Sequence, residues 1–287
     1  MIYLLLSILI STGLFVIFKY FGIYKVDVLK AIFINYIVAF ILGFTFAERD
    51  FSVIEIPNQP WFLGALFLGA LFVSIFFVMA MTAQKNGVSV ASVAGKMSVV
   101  IPVFFGVFLY NESVTVLKIV GIVIALIAVY LASVKEDKIA TEKAGLLFPV
   151  LLFLGSGTID TTLKYVETNF VDKADVSIFS GSLFAIAAFF AGIILIIKAI
   201  RKREEFGIKN CIAGLILGVP NYFSIVFLIK ALQTEGFESS TLFTINNVGI
   251  VIVSTLVGIL VFKEQFSIKN KLGVALAILG IIIVALA

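Results

Sequence analysis

Lys96 stands in the middle of a long apolar run, GVSVASVAGKMSVVIPVFFGVF, that begins at Gly87. An ammonium group at mid-bilayer costs about 2.5–3.5 kcal/mol even on the lenient insertion scale, so it persists there only with water, a partner or a ligand. The chemistry it offers is recognition of an anion or carboxylate. The competing reading is a lysine whose stem snorkels to the interface, or one paired structurally, and about two helical turns of depth is long for snorkelling. A later run carries Asn246 and Asn247 in the matching region, where amides can bind a substrate or join helices. Asp160 is the one acid well inside an apolar run and is the candidate for proton or ion coupling. Lys164 follows it four residues on, on the same helical face, so a local ion pair is the alternative.

Four further residues belong to the candidate substrate-binding set. Asn221 and Tyr222 follow Pro220, which frees a backbone carbonyl that neighbours or a ligand can use, and Pro102 invites the same two readings. Asn35 is a polar residue inside the second apolar run, and Lys230 lies about a turn from the end of another. No catalytic set emerges. The chain has no His and a single cysteine, Cys211, so no zinc site, disulfide or imidazole relay can be built within it. No metal or cofactor is expected, and no GxxxxGK[ST] phosphate loop occurs, so energy comes from gradients or from the substrate itself.

The elements that position these residues are membrane helices. Apolar residues make up 62% of the 287 and charged residues 13%, about half the share usual in a soluble domain. A spanning helix needs about 20 mostly apolar residues. Ten segments qualify, at roughly 2–18, 28–47, 61–82, 88–110, 115–134, 146–165, 175–198, 209–232, 237–261 and 267–287. The run after Met1 lacks a basic flank and a small-residue cleavage site, and reads as a retained span. The expected fold is an all-α membrane protein, and a net charge of +4 in short loops reports topology, not nucleic-acid binding.

The chain repeats itself. Gly106, Glu112 and Gly121 fall on Gly258, Glu264 and Gly273 at an offset of 152. Ser11, Lys19 and Tyr20 fall on Ser156, Lys164 and Tyr165 at 145, and Gly69, Gln84 and Gly87 on Gly218, Gln233 and Gly236 at 149. The expected organisation is a first five-helix repeat at 1–134, a connecting loop at 135–145 and a second repeat at 146–287. An odd number of spans per unit inverts the second copy, as in many secondary transporters. Counted together with the span ends that flank them, the loops after the odd-numbered spans hold 15 Lys or Arg and the others 5, which puts both termini outside the cytoplasm. Glu112 and Glu264 each precede a helix and suit its N-terminal dipole, and Gly214 and Gly218 form a GxxxG packing pattern.

The paired stretches, each a small-residue helix broken by Pro or Ser, then Gly, then Glu112 or Glu264, then a Gly-bearing final span, resemble the drug/metabolite transporter superfamily and its EamA-type ten-span members. The resemblance covers the whole chain. It implies alternating access about a central cavity between repeats. Two features depart from it: familiar members usually have cytoplasmic termini, and Lys96 stands where the pattern is usually apolar or small. The expected function is a secondary transporter of a small polar organic metabolite, of amino acid or carboxylate class, with export one direction open to it. The alternatives are an intramembrane enzyme, for which the chain offers poor material, and a structural or receptor subunit. Expected partners are the lipid bilayer and a small-molecule substrate, with no nucleic acid. The expected state is a monomer or homodimer, multi-pass in a bacterial cytoplasmic membrane.

Overall fold

The computed structural model describes residues 2–46, 53–102, 105, 116–133, 145–171, 175–201, 206–232 and 239–285. Among them are ten α-helices. In the first half these are α1 (Ile2–Ile23), α2 (Val28–Thr45), α3 (Phe62–Lys85), α4 (Val88–Met97) and α5 (Val116–Ser133). The second half holds α6 (Leu147–Phe170), α7 (Val176–Arg201), α8 (Ile208–Leu232), α9 (Ser239–Leu260) and α10 (Ile268–Ala285). A short 3-10 helix, Val53–Asn58, contains Pro57 and lies in the connection before α3. Five helical stretches among the described residues are long and apolar enough to cross a membrane, within α1, α2, α3, α7 and α8. Val88–Pro102, Ile119–Ala132 and Ile245–Leu260 are shorter apolar stretches. The helices follow the ten expected segments in order, with α1 extending to Ile23, so that it contains Lys19 and Tyr20, and α6 extending to Phe170.

Span 4 was expected over 88–110 as a small-residue helix broken by Pro or Ser, and the structure places the break within its described part; 103–104 and 106–110 lie outside the described residues. α4 stops at Met97, and Ser98 and Val99 form a turn before helix resumes at Val100–Pro102. Pro102 supplies the reason. It has no N–H for the Ser98 carbonyl four residues back, and its ring crowds that carbonyl. The Ser98 carbonyl instead accepts from Ile101 N at 2.9 Å. Ser98 Oγ in turn donates to the Gly95 carbonyl at 2.7 Å. The freed backbone group is therefore re-satisfied locally.

The chain folds into two compact units, and each draws on both sequence halves. The first comprises residues 1–20, 78–158 and 223–287, the second 21–77 and 159–222. In the first unit α5 packs along α10. Gly273 lies so close to Ala132 that a Cβ there would meet backbone. Asn270 joins the two helix ends: its Nδ2 donates to the carbonyls of Leu131 at 3.1 Å and Ala132 at 2.9 Å. Its own N–H donates to Ser267 Oγ at 3.2 Å while its Oδ1 accepts from Ser267 N at 3.1 Å, a reciprocal cap on α10.

In the second unit α2 runs antiparallel to α7. The Gly43–Gly181 pair permits the approach, since a Cβ on Gly43 would come within 3.1 Å of Gly181 Cα. Gly214 and Gly218 of α8 meet α2 in the same way. A Cβ on Gly218 would lie 2.9 Å from the Asn35 carbonyl, and one on Gly214 2.7 Å from that of Ala31. The GxxxG pattern is thus a packing device, as small residues in membrane helices commonly are. Trp61 is buried edge-on against Phe179 at 5.3 Å.

Candidate functional site

α4 is held at both ends by features other than its own composition. Its N-terminus starts at Gly87, whose φ of 111° suits glycine and which has no side chain to cap the helix. The cap comes from a distant residue. The chain leaving α9 turns at Lys263, φ 52°, and brings Glu264 onto the start of α4. Val88 N donates to Glu264 Oε1 at 2.7 Å, and Ser89 N and Oγ donate to Oε2 at 3.5 and 3.1 Å. Lys19 Nζ lies 4.0 Å from Glu264 Oε1. A carboxylate here complements the partial positive charge of a helix N-terminus. Glu264 was expected to serve the helix that follows it; instead it serves α4, because the turn at Lys263 folds it back. Glu112 lies outside the described residues.

Lys96 occupies the last turn of α4, one residue before Met97 ends the helix, and is half-buried. α9 runs antiparallel beside α4, joined by a short hydrogen bond from Ser254 Oγ to Ser92 Oγ. That register places Lys96 opposite Ile250, about one turn from Asn246 and Asn247. Asn246 is buried, and its Oδ1 accepts from Ser7 Oγ at 3.0 Å. Ser7 also lies 3.5 Å from the Ser224 carbonyl. Asn247 is half-buried. Lys230 is exposed, with Nζ 5.6 Å from the centre of the Tyr3 ring, as a lysine near a helix end commonly is. The first unit thus carries Lys96 within about one helical turn of Asn246 in register, on a helix that breaks beside it.

The second unit holds the remaining candidates. Asn35 is fully buried, and neither of its amide atoms has a hydrogen-bond partner among the described residues. The same holds for the Tyr36 hydroxyl and for Ser182 Oγ. The Tyr36 ring sits between Phe76, 5.6 Å away, and Phe184, 6.1 Å away. Leaving such a group unmet costs about 1–3 kcal/mol, so these atoms mark places for water or a ligand. Asn221 is buried, and Tyr222 stacks on Phe46 at 6.0 Å. α8 continues through Pro220 without a break. Asp160 lies on an exposed face of α6.

Ser7, Tyr36, Ser182 and the capping role of Glu264 were not singled out from the sequence. A polar residue inside an apolar run was the available signal for the first three. Nothing in the sequence marked the fourth, because it depends on where the turn at Lys263 points.

A polytopic helical protein with a broken helix carrying an embedded cation, and with unsatisfied neutral polar groups buried in its second unit, has the parts of a membrane transporter. The comparison with known proteins agrees. Residues 1–134 and again 144–286 match the EamA-like transporter family, and the chain belongs to it. An uncharacterized protein of Haemophilus influenzae is 29% identical over 97% of this chain and 95% of its own length. The "Probable glucose uptake protein GlcU" of Priestia megaterium is 26% identical over 84% of this chain and 86% of its own. A solved crystal structure shares the fold at a TM-score of 0.56 and 14% identity, covering 98% of this chain and 97% of that one. The protein is a multi-pass membrane transporter and not an enzyme.

Proposed function

We propose that this transporter carries a small anionic or zwitterionic metabolite, of amino acid or carboxylate class, by alternating access across a bacterial cytoplasmic membrane. The observation that carries the reading is Lys96, half-buried on the last turn of a helix broken beside it. Discontinuous helices near mid-membrane are a recurring feature of transporter binding sites. In this reading the ammonium meets the substrate anion and Asn246 and Asn247 of the same unit orient it, while Asn35, Asn221 and Tyr222 are candidate polar contacts within the second unit. Asp160 serves coupling to a proton or ion. The two sequence halves, 1–134 and 146–287, are inverted repeats joined by 135–145, and both termini lie outside the cytoplasm.

A second reading is favoured by a different observation. Asn35, Tyr36 and Ser182 present neutral donors and acceptors of the kind that match hydroxyl groups, and a relative bears the name of a probable glucose uptake protein. A sugar would then be the substrate.

Uptake into proteoliposomes separates the two. A panel of labelled amino acids, carboxylates and sugars is offered with and without an imposed pH gradient. Lys96→Met keeps a long apolar side chain and should reconstitute normally while losing transport of an anionic or zwitterionic substrate. Sugar uptake that survives Lys96→Met and fails in Asn35→Leu selects the second reading. Unchanged amino acid or carboxylate transport by Lys96→Met removes the first.

A further inference from the structure

We propose that the groove between α2 and α7 is a binding site for one acidic phospholipid, its acyl chain lying in the groove and its headgroup held at Lys198. The groove encloses about 460 Å³, and every residue lining it is apolar. Phe33, Ile37 and Ile41 line it from α2, and Ala185, Gly192 and Ile196 from α7. Its rim is open to the surroundings: Ile41 is 54% and Ile196 62% exposed. On a helix that crosses the bilayer such a rim faces hydrocarbon, which makes a lipid chain the natural occupant.

The length fits one leaflet. From Ala185 to Ile196 α7 rises about 16 Å at 1.5 Å per residue, roughly half of a hydrocarbon core about 30 Å thick. The end of the groove that carries Phe33 and Ile196 is also the charged end. Lys198 Nζ lies 3.0 Å from Asp27 Oδ2, and Lys30 Nζ 3.7 Å from the same oxygen. Asn210 Oδ1 accepts from Asp27 N at 3.0 Å, which brings the start of α8 and its exposed Lys209 to this end as well. The Lys198 side chain is 40% exposed and can reach a headgroup. Among the described residues this end carries Lys25, Lys30, Lys198 and Lys209 against the single acid Asp27. An apolar slot of one-leaflet depth with a basic head end matches an acidic phospholipid and not a neutral one. Basic clusters between helices on the cytoplasmic side are known to hold acidic headgroups, and the loop-charge bias puts this end there.

The test uses the full-length protein, purified in detergent and examined by native mass spectrometry with phosphatidylglycerol or phosphatidylcholine added. One retained phosphatidylglycerol is expected, and no retained phosphatidylcholine under the same activation. Lys198→Gln should weaken retention roughly fivefold, the factor that removing one basic residue near an anionic surface implies. Lys198→Arg should restore it. Ala185→Trp, which fills the floor of the groove and leaves the charges in place, should also reduce it. Equal retention of both lipids, or retention indifferent to Lys198→Gln, would mean ordinary lipid contact and overturns the site. So does cross-linking of Ile193→Cys between two copies in lipid-depleted and lipid-replete samples alike, since a second copy would then cover the groove. None of these outcomes depends on which substrate is carried.

Discussion

Replacing Glu264 tests whether a hydrogen bond or an ion pair holds the start of α4. Val88 is fully buried, and its N–H donates to Glu264 Oε1 at 2.7 Å. A hydrogen bond to a charged group contributes about 1.5–3 kcal/mol, and stranding a buried donor costs about 1–3 kcal/mol. The Lys19 contact is longer, at 4.0 Å, with side chains 21% and 13% exposed. Partly solvated pairs contribute about 0–1 kcal/mol. The hydrogen bond should therefore dominate. Glu264→Ala is expected to cost about 2–3 kcal/mol, comparable to or above the loss of an N-cap side chain. Glu264→Gln keeps an acceptor for Val88 and should cost about 1 kcal/mol, the part due to charge at a helix N-terminus. Lys19→Met removes the pair with Glu264 and the hydrogen bond from Nζ to the Gln84 carbonyl at 3.3 Å, and should cost about 1 kcal/mol. Unfolding of the purified variants in one detergent, by heat or denaturant, ranks them. If Lys19→Met is as damaging as Glu264→Ala, or Gln no better than Ala, the charge pair carries the contact and this reasoning fails. Because α4 bears Lys96, transport should fall in the same order as stability.

The remaining expectations are briefer. Burial pushes the Asp27 carboxyl up, but the hydrogen bonds from Lys198 and the Lys30 backbone, with both ammonium charges, more than offset this and hold it below its ordinary 3.8. A lowered folded value means the contribution is complete above pH 3.8 and is lost as pH falls through the folded value. Unfolding midpoints should thus be insensitive to this group from neutral pH down to about 4, and Asp27→Asn should remove part of any decline below it. Gly218→Ala places a methyl 2.9 Å from the Asn35 carbonyl and 2.7 Å from Val38 Cβ, and should destabilise by about 1–3 kcal/mol as overpacking does. Gly13→Ala, with nothing within 4 Å, should instead stabilise by up to about 1 kcal/mol, and a reversed order in detergent unfolding would refute the packing argument. A reporter active only in the cytoplasm, fused at the C-terminus, should stay silent; a strong signal would reverse the orientation and leave the helices unchanged.

Much of the fold was legible from local pattern. Long apolar runs admit only helices in a bilayer, since every backbone group must be satisfied within the segment, so most helix positions follow from hydropathy. The GxxxG of α8 was equally readable, because close approach needs small residues at fixed spacing. A break in span 4 was expected, but its place was not. Pro102 was visible, but whether a proline stops a helix depends on its neighbours: α8 continues through Pro220, while α4 stops at Met97, where Ser98 and Ile101 supply alternative hydrogen bonds.

Lys96 illustrates the division. Its cost in a membrane follows from its type and its depth in the run, and both are properties of the linear chain. Its neighbours follow from the antiparallel register of α4 and α9, set by Ser92 against Ser254, residues 162 positions apart. Glu264 makes the point more sharply. Its charge and its place before α10 are local, yet it caps a helix 176 residues earlier in the chain because a positive φ at Lys263 redirects it. The sequence by itself determined the class of protein, the helices and the duplication, because these rest on composition and on spacing along one chain. Only the tertiary structure decided which polar groups meet and which stay unmet. Hydropathy drives a helix into the bilayer without specifying what it packs against there. Helix pairing is set by close contact and hydrogen bonds between residues far apart in the chain.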